Sequence, residues 1–166
     1  LHKEYRRQRQ MCIRDRDSDE WLKEGEYHIV ITGIIQNSKN QILITRRNKN
    51  KKVYPGLWEC TGGSVKAEES SIEAVIREIN EEIGIRLKPT EGKLLGTIQK
   101  SNYFRDVWKF KKDVLKEDIN YNDGEVIDFK WVSLEEYADL YDKGEIVPSG
   151  DFVIKMLERK ELEEER

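Results

Sequence analysis

The sequence predicts an α/β domain, and three observations predict it. Residues 71–83 repeat apolar side chains at helical spacing, with Ile72, Val75, Ile76, Ile79 and Ile83 forming a core-facing stripe. Runs of β-branched, aliphatic and aromatic residues, such as 26–36, 41–47 and 103–114, flank that segment and read as strands. Ser70-Ser71-Ile72-Glu73 and Ser133-Leu134-Glu135-Glu136 are capping boxes, the signature of a helix start. A length of 166 residues suits one domain with one sizeable core.

In chain order, residues 6–15 resemble one translated frame of a transposase adapter used in sequencing-library chemistry. Residues 1–16 are therefore read as a non-native, disordered extension, and residues 17–166 as the single domain. The extension holds six Lys or Arg against two Asp or Glu, a net +4, so the total of −3 leaves −7 on the domain. Glu26–Gln36 and Gln41–Arg47 form a hairpin around the turn residues Asn37-Ser38-Lys39-Asn40. His28 is read as a strand residue, and Asn48–Lys52 as a basic loop. A helix starts near Ser71 and stops at Gly84. Strands follow at Leu94–Gln99 and Tyr103–Val114, then a polar turn at Asn120–Gly124 and a strand at Glu125–Val132. A helix from Ser133 to about Lys143 comes next, then a last helical stretch after Pro148-Ser149 that frays from Glu158.

Composition narrows the function. Charged residues make up 38% and hydrophobic ones 37%, which gives a charged surface without the composition of a disordered chain. No apolar run approaches the ~20 residues that span a bilayer, and no signal-peptide pattern opens the chain. Two cysteines, Cys12 and Cys60, supply neither a disulfide framework nor metal-ligand spacing. A cytoplasmic location with no membrane association is expected. The mild negative charge argues against a nucleic-acid partner, which a basic patch would announce.

The chemistry concentrates at Glu78, Glu81 and Glu82, which fall within a sector of about 100° on one side of the first helix. Like charges at that spacing repel by a few tenths of a kcal/mol per pair. A hard divalent cation, which takes carboxylate oxygens together with substrate phosphates, would offset that cost. The whole stretch Gly63–Ile85 resembles the Nudix hydrolase signature, G-x5-E-x7-R-E-U-x-E-E-x-G-U with U aliphatic. Gly63, Glu69, Arg77, Glu78, Ile79, Glu81, Glu82, Gly84 and Ile85 fill every specified position. From average residue usage such a match arises at about one start position in a billion. One departure lies outside the strict signature: many family members carry Gly before the first box Glu, and Glu68 stands there. That departure bears on the shape of the loop.

The resemblance covers about Glu20 to Leu157 and implies an α/β/α sandwich with a mixed β-sheet. It implies a hydrolase that cleaves a diphosphate linkage in a nucleoside diphosphate derivative or related small molecule. Glu78, Glu81 and Glu82 would ligate Mg2+ (or Mn2+), with the Gly62 carbonyl a further ligand and Glu69 an outer-shell or extra one. Arg77 would pair within the box and orient a carboxylate. The general base would be a box Glu or a carboxylate from a later loop, for which Glu125 is the candidate. One of Arg46 and Arg47 could reach a substrate phosphate, a task suited to a forked guanidinium. Tyr54 and Trp58 either wall a site for a flat group or belong to the aromatic core. A homodimer is common in such a family.

Two alternatives stand beside this reading. One is a non-catalytic Nudix-like ligand-binding module. The other is an isomerase resembling isopentenyl-diphosphate isomerase, which needs a cysteine after the tryptophan where Gly62 and Gly63 stand here.

Overall fold

The computed structural model describes residues 27–100, 102–121 and 124–164, with side chains as far as Arg159. The extension read at residues 1–16 lies outside the described residues. Among the described residues seven strands and three α-helices form: β1 His28–Gln36, β2 Ile42–Arg47, β3 Trp58–Glu59, β4 Thr61–Ser64, α1 Ser71–Ile83, β5 Gly92–Gln99, β6 Tyr103–Lys111, β7 Val126–Val132, α2 Leu134–Asp142 and α3 Asp151–Glu164. The sheet runs β3-β2-β1-β6-β5, with β4 also paired to β1 and β7 to β2. It is mixed, because β1 and β6 are parallel and the other pairs antiparallel.

The β1–β2 hairpin follows from its turn. The Asn37 carboxamide oxygen accepts from the backbone of Lys39 at 3.0 Å and Gln41 at 2.8 Å, an Asx-type closure. Beyond Gln36↔Ile42 the two strands separate, so β4 takes the open side of β1 while β3 and β7 flank β2. This separation places the glycine strand β4 where α1 crosses it.

Two apolar layers flank the sheet. Ile31, Ile35, Leu43 and Phe110 pack with Val75, Ile79 and Ile83 of α1 on one face. Ile34, Ile42, Ile44, Trp58 and Val107 pack with Tyr137 of α2 and with Val153 and Leu157 of α3 on the other. The result is the α/β/α sandwich expected from the resemblance.

Boundaries moved where tertiary pairing decides them. The strand expected at 94–99 begins at Gly92, and the one expected to reach Val114 ends at Lys111. The pieces β3 and β4 were read as the approach to the box, since two to four residues carry no periodicity of their own. Helix α3 continues to Glu164, past the expected fraying point.

Candidate active site

Helix α1 is fixed at both ends by its own sequence. The Ser70 hydroxyl accepts from the Glu73 N–H while the Glu73 carboxylate accepts from the Ser70 N–H at 2.8 Å. Gly84 caps the other end with φ 74°, its N–H donating to the Asn80 carbonyl. The loop before the helix holds a non-glycine residue in the left-handed region, because Glu68 has φ 61°. This is backbone that glycine adopts freely, and here a side-chain-bearing residue carries the strain.

The sequence placed the three glutamates beside the apolar stripe, and the structure divides them. Glu78 and Glu82 are buried on the sheet-facing side with Ala74, Val75 and Ile79, whereas Glu81 is exposed. Ile72 and Ile76 are only half-buried. Room for Glu78 comes from Gly63, where a Cβ would lie 2.3 Å from the Glu78 carboxyl. No other residue fits there without displacing that carboxylate.

Arg77 gathers the outer carboxylates. Its Nε and Nη2 donate to the two Glu69 oxygens at 2.8 and 3.0 Å, a forked pair. Nη1 donates to Glu78 at 2.9 Å and Glu81 at 3.1 Å, and Nη2 also to the Ser64 carbonyl at 3.1 Å. These bonds hold the guanidinium protonated, the Glu69 bond contributing most. Burial pushes the Glu69 carboxyl up, yet the Arg77 hydrogen bonds, with the Lys66 N–H, bring it below its usual value.

Glu82 has the opposite environment. Burial, then the charges of Glu59, Glu78 and Glu125, push its carboxyl well up, against one hydrogen bond from Thr61. Its Oε2 is buried without a hydrogen-bond partner. Glu59, which sequence reasoning missed, completes this group. Its carboxylate meets Arg47 Nη1 at 2.6 Å. Burial raises its pKa against the opposing Arg47 charge and hydrogen bond. A signal for it existed: at strand period, Glu59, Thr61 and Gly63 share a face. Thr61, Lys51 and the Ser64 carbonyl were missed as well.

The remaining candidates separate by face. Arg47 points to the carboxylate side, its Nε also donating to the Val53 carbonyl at 3.1 Å. Arg46 lies over the Trp58 ring, 5.5 Å from its centre, with Nε donating to the Gly56 carbonyl at 3.0 Å. Trp58 is 7% exposed and belongs to the core facing α2 and α3, the core alternative of the two that its sequence left open. Tyr54 is exposed on the β2–β3 loop. Glu125 pairs with Lys51 at 2.7 Å, and its charge reaches Glu59 and Glu82. Gly62 stands opposite Thr32 in β1, one residue from Gly63.

The structure therefore brings Glu59, Glu78, Glu82 and Glu125 toward one place, and ties Glu69 and Glu81 to Arg77. Among the described residues no three His, Cys, Asp or Glu side chains converge as they stand to hold an ion. The donor set nonetheless suits a hard cation: carboxylate oxygens, one of them buried and unpartnered, beside the glycine strand. No described helix is long and apolar enough to cross a membrane.

A sequence profile of the NUDIX domain matches residues 26–149. An uncharacterised Nudix hydrolase of Listeria monocytogenes is 38% identical over 135 residues, 78% of this chain and 77% of its own. An isopentenyl-diphosphate Delta-isomerase of Escherichia coli is 31% identical over 64% of this chain and 62% of its own. Among solved structures, the MutT protein of Methanosarcina mazei superposes with a TM-score of 0.63 at 28% identity, over 84% of this chain and 96% of that one. The intact box on α1, the glycine strand beneath it and these matches agree that the chain belongs to the Nudix hydrolase family, pyrophosphohydrolases that cleave phosphoric anhydrides.

Proposed function

We propose that this chain is a divalent-metal-dependent hydrolase of a small-molecule diphosphate, a nucleoside diphosphate derivative or a related compound, with Mg2+ or Mn2+ as cofactor. The observation that carries the reading is Glu82, a buried carboxylate with an unpartnered oxygen, surrounded by the charges of Glu59, Glu78 and Glu125. A cation removes the cost of that arrangement, which apolar packing would have avoided. Glu78, Glu81 and Glu82 would hold the ion, with Glu69 and the Gly62 carbonyl beside them. Bound there, it would neutralise phosphate oxygens and lower the pKa of a coordinated water.

The chain's own residues supply orientation and proton transfer. Arg77 aligns Glu69, Glu78 and Glu81. Arg47, held by Glu59 and the Val53 carbonyl, is the arginine suited to a phosphate. Glu125 is the candidate base outside the box, with Lys51 fixing one of its oxygens. The buried free thiol of Cys60 suits a reducing, cytoplasmic compartment.

The isomerase relative raises a second reading, and Gly63 weighs against it. A cysteine there would place its Cβ 2.3 Å from the Glu78 carboxyl. The deciding experiment is a phosphate-release screen with Mg2+ over nucleoside triphosphates, dinucleotides, sugar nucleotides and prenyl diphosphates. Hydrolysis of at least one class is expected, falling more than tenfold in Glu82→Gln, a loss above ~1.4 kcal/mol of transition-state stabilisation. Full turnover in that variant at saturating Mg2+ would overturn the assignment. Absence of hydrolysis throughout would favour the non-catalytic module.

A further inference from the structure

On the sheet face opposite α1, a second polar centre stands close to the box. Arg105 of β6 donates from Nη1 to the Thr32 hydroxyl at 2.7 Å. Thr32 is the residue opposite Gly62 in β4. The guanidinium is thus anchored one strand spacing, about 4.8 Å, from the glycine strand. Its Cζ lies 5.5 Å from the Tyr103 ring centre and 5.6 Å from that of Phe152 in the first turn of α3. Lys100 joins it, with Nζ 5.0 Å from the same Phe152 ring.

Two cations therefore gather at one ring, and among the described residues no carboxylate pairs with either. The nearest acid in sequence to Phe152, Asp151, is taken by Lys155 at 2.9 Å. The Arg105 Nε–H is buried without a partner. With Nη1 committed to Thr32, Nε and Nη2 remain, the side of the guanidinium that donates to two oxygens of one oxyanion. Core packing alone explains neither the unpaired N–H nor the gathered like charges.

We propose that Arg105, assisted by Lys100, determines specificity by binding a phosphomonoester carried on the substrate at a distance from the diphosphate that is cleaved. The proposal rests on the diphosphate-hydrolase reading above. Two cations match a group that carries about −1.5 to −2 at neutral pH better than they match a carboxylate. Among the described residues β4 is paired only with β1, so its other edge is open beside the box. A molecule whose diphosphate meets the carboxylates on the α1 face would pass that edge to reach Thr32 and Arg105 on the other face.

The test uses matched pairs that differ by one phosphomonoester: ADP-ribose with its 2′-phosphate, and dephospho-coenzyme A with coenzyme A. With Mg2+ present, at least one phosphorylated member is expected to show kcat/KM at least about tenfold above its partner. Arg105→Gln should reduce that ratio to within about twofold, mainly through KM. Arg105→Lys should keep part of it, and Lys100→Ala, which leaves Thr32 and the core untouched, should lower it should Arg105→Gln fail to fold. Equal rates within both pairs, or an equal loss on both members of a pair in Arg105→Gln, would overturn the inference and leave the hydrolase reading standing.

Isothermal titration of the same compounds without divalent metal separates the two readings. If nothing is hydrolysed, tighter binding of a phosphorylated member that Arg105→Gln abolishes still supports the anion site. Equal or undetectable binding overturns it.

Discussion

Glu82 shows how one side chain couples burial to pH. Its folded-state pKa is raised, by burial first and by the charges of Glu59, Glu78 and Glu125 next. The native state therefore keeps a proton that the unfolded state releases near the usual 4.5. Stability from this group is fully present below that pH and is lost as pH rises through the folded pKa. Glu82→Gln mimics the protonated form, so in metal-free protein it should match wild type at pH 4 and exceed it increasingly above. The slope is about 1.4 kcal/mol per pH unit within the window. Glu69 titrates in the opposite sense but is common to both proteins. Melting curves in chelator from pH 4 to 8 check this, and a difference that does not change with pH would refute it. Glu68 offers a second test at the same scale. Its φ of 61° costs a side-chain-bearing residue about 1–2 kcal/mol, part of which glycine returns through unfolded-state entropy. Glu68→Gly should raise unfolding free energy by up to about 1 kcal/mol in urea titrations, with m unchanged.

At the scale of the element, α1 is held to the sheet by apolar contact. Val75, Ile79 and Ile83 are within 1% of complete burial, and Ile79 packs in the layer with Ile31, Ile35 and Phe110. Ile79→Ala should cost about 2–5 kcal/mol, read as a lower denaturation midpoint. A loss below 1 kcal/mol would mean that the helix is held chiefly by its charged side. The limits of α1 were legible because Ser70, Glu73 and Gly84 encode them locally. The inward turn of Glu78 and Glu82 was not. Their sector was read from a helical wheel, and only the empty space at Gly63 shows that this side meets the sheet. Glu59 escaped for a related reason: β3 is two residues long and owes its direction to pairing with Thr45 and Arg46. Local pattern offers only the face that Glu59 shares with Thr61 and Gly63 at strand period.

For the whole molecule, the sandwich was readable because the strands and helices keep their own periodicities. The division of labour between its faces was not, since it depends on how β1 separates from β2 after Gln36↔Ile42. Strand alternation along β2 puts Arg47 with the carboxylates and Arg46 with Trp58, though the two are neighbours in sequence. Both apolar layers are built from side chains that no cation would touch, so the fold is expected to survive removal of divalent metal. Chelation should leave the far-ultraviolet circular dichroism spectrum unchanged. Mg2+ at a hundred times its dissociation constant should then stabilise the protein by about 2.7 kcal/mol, seen as a rise in Tm. The same addition to Glu82→Gln should give little of that rise, because the variant lacks the charge that favours the ion. Loss of helical signal on chelation would show that the cation, rather than the stripe of α1, organises the domain. An equal rise of Tm in wild type and variant would place the ion elsewhere on this acidic surface.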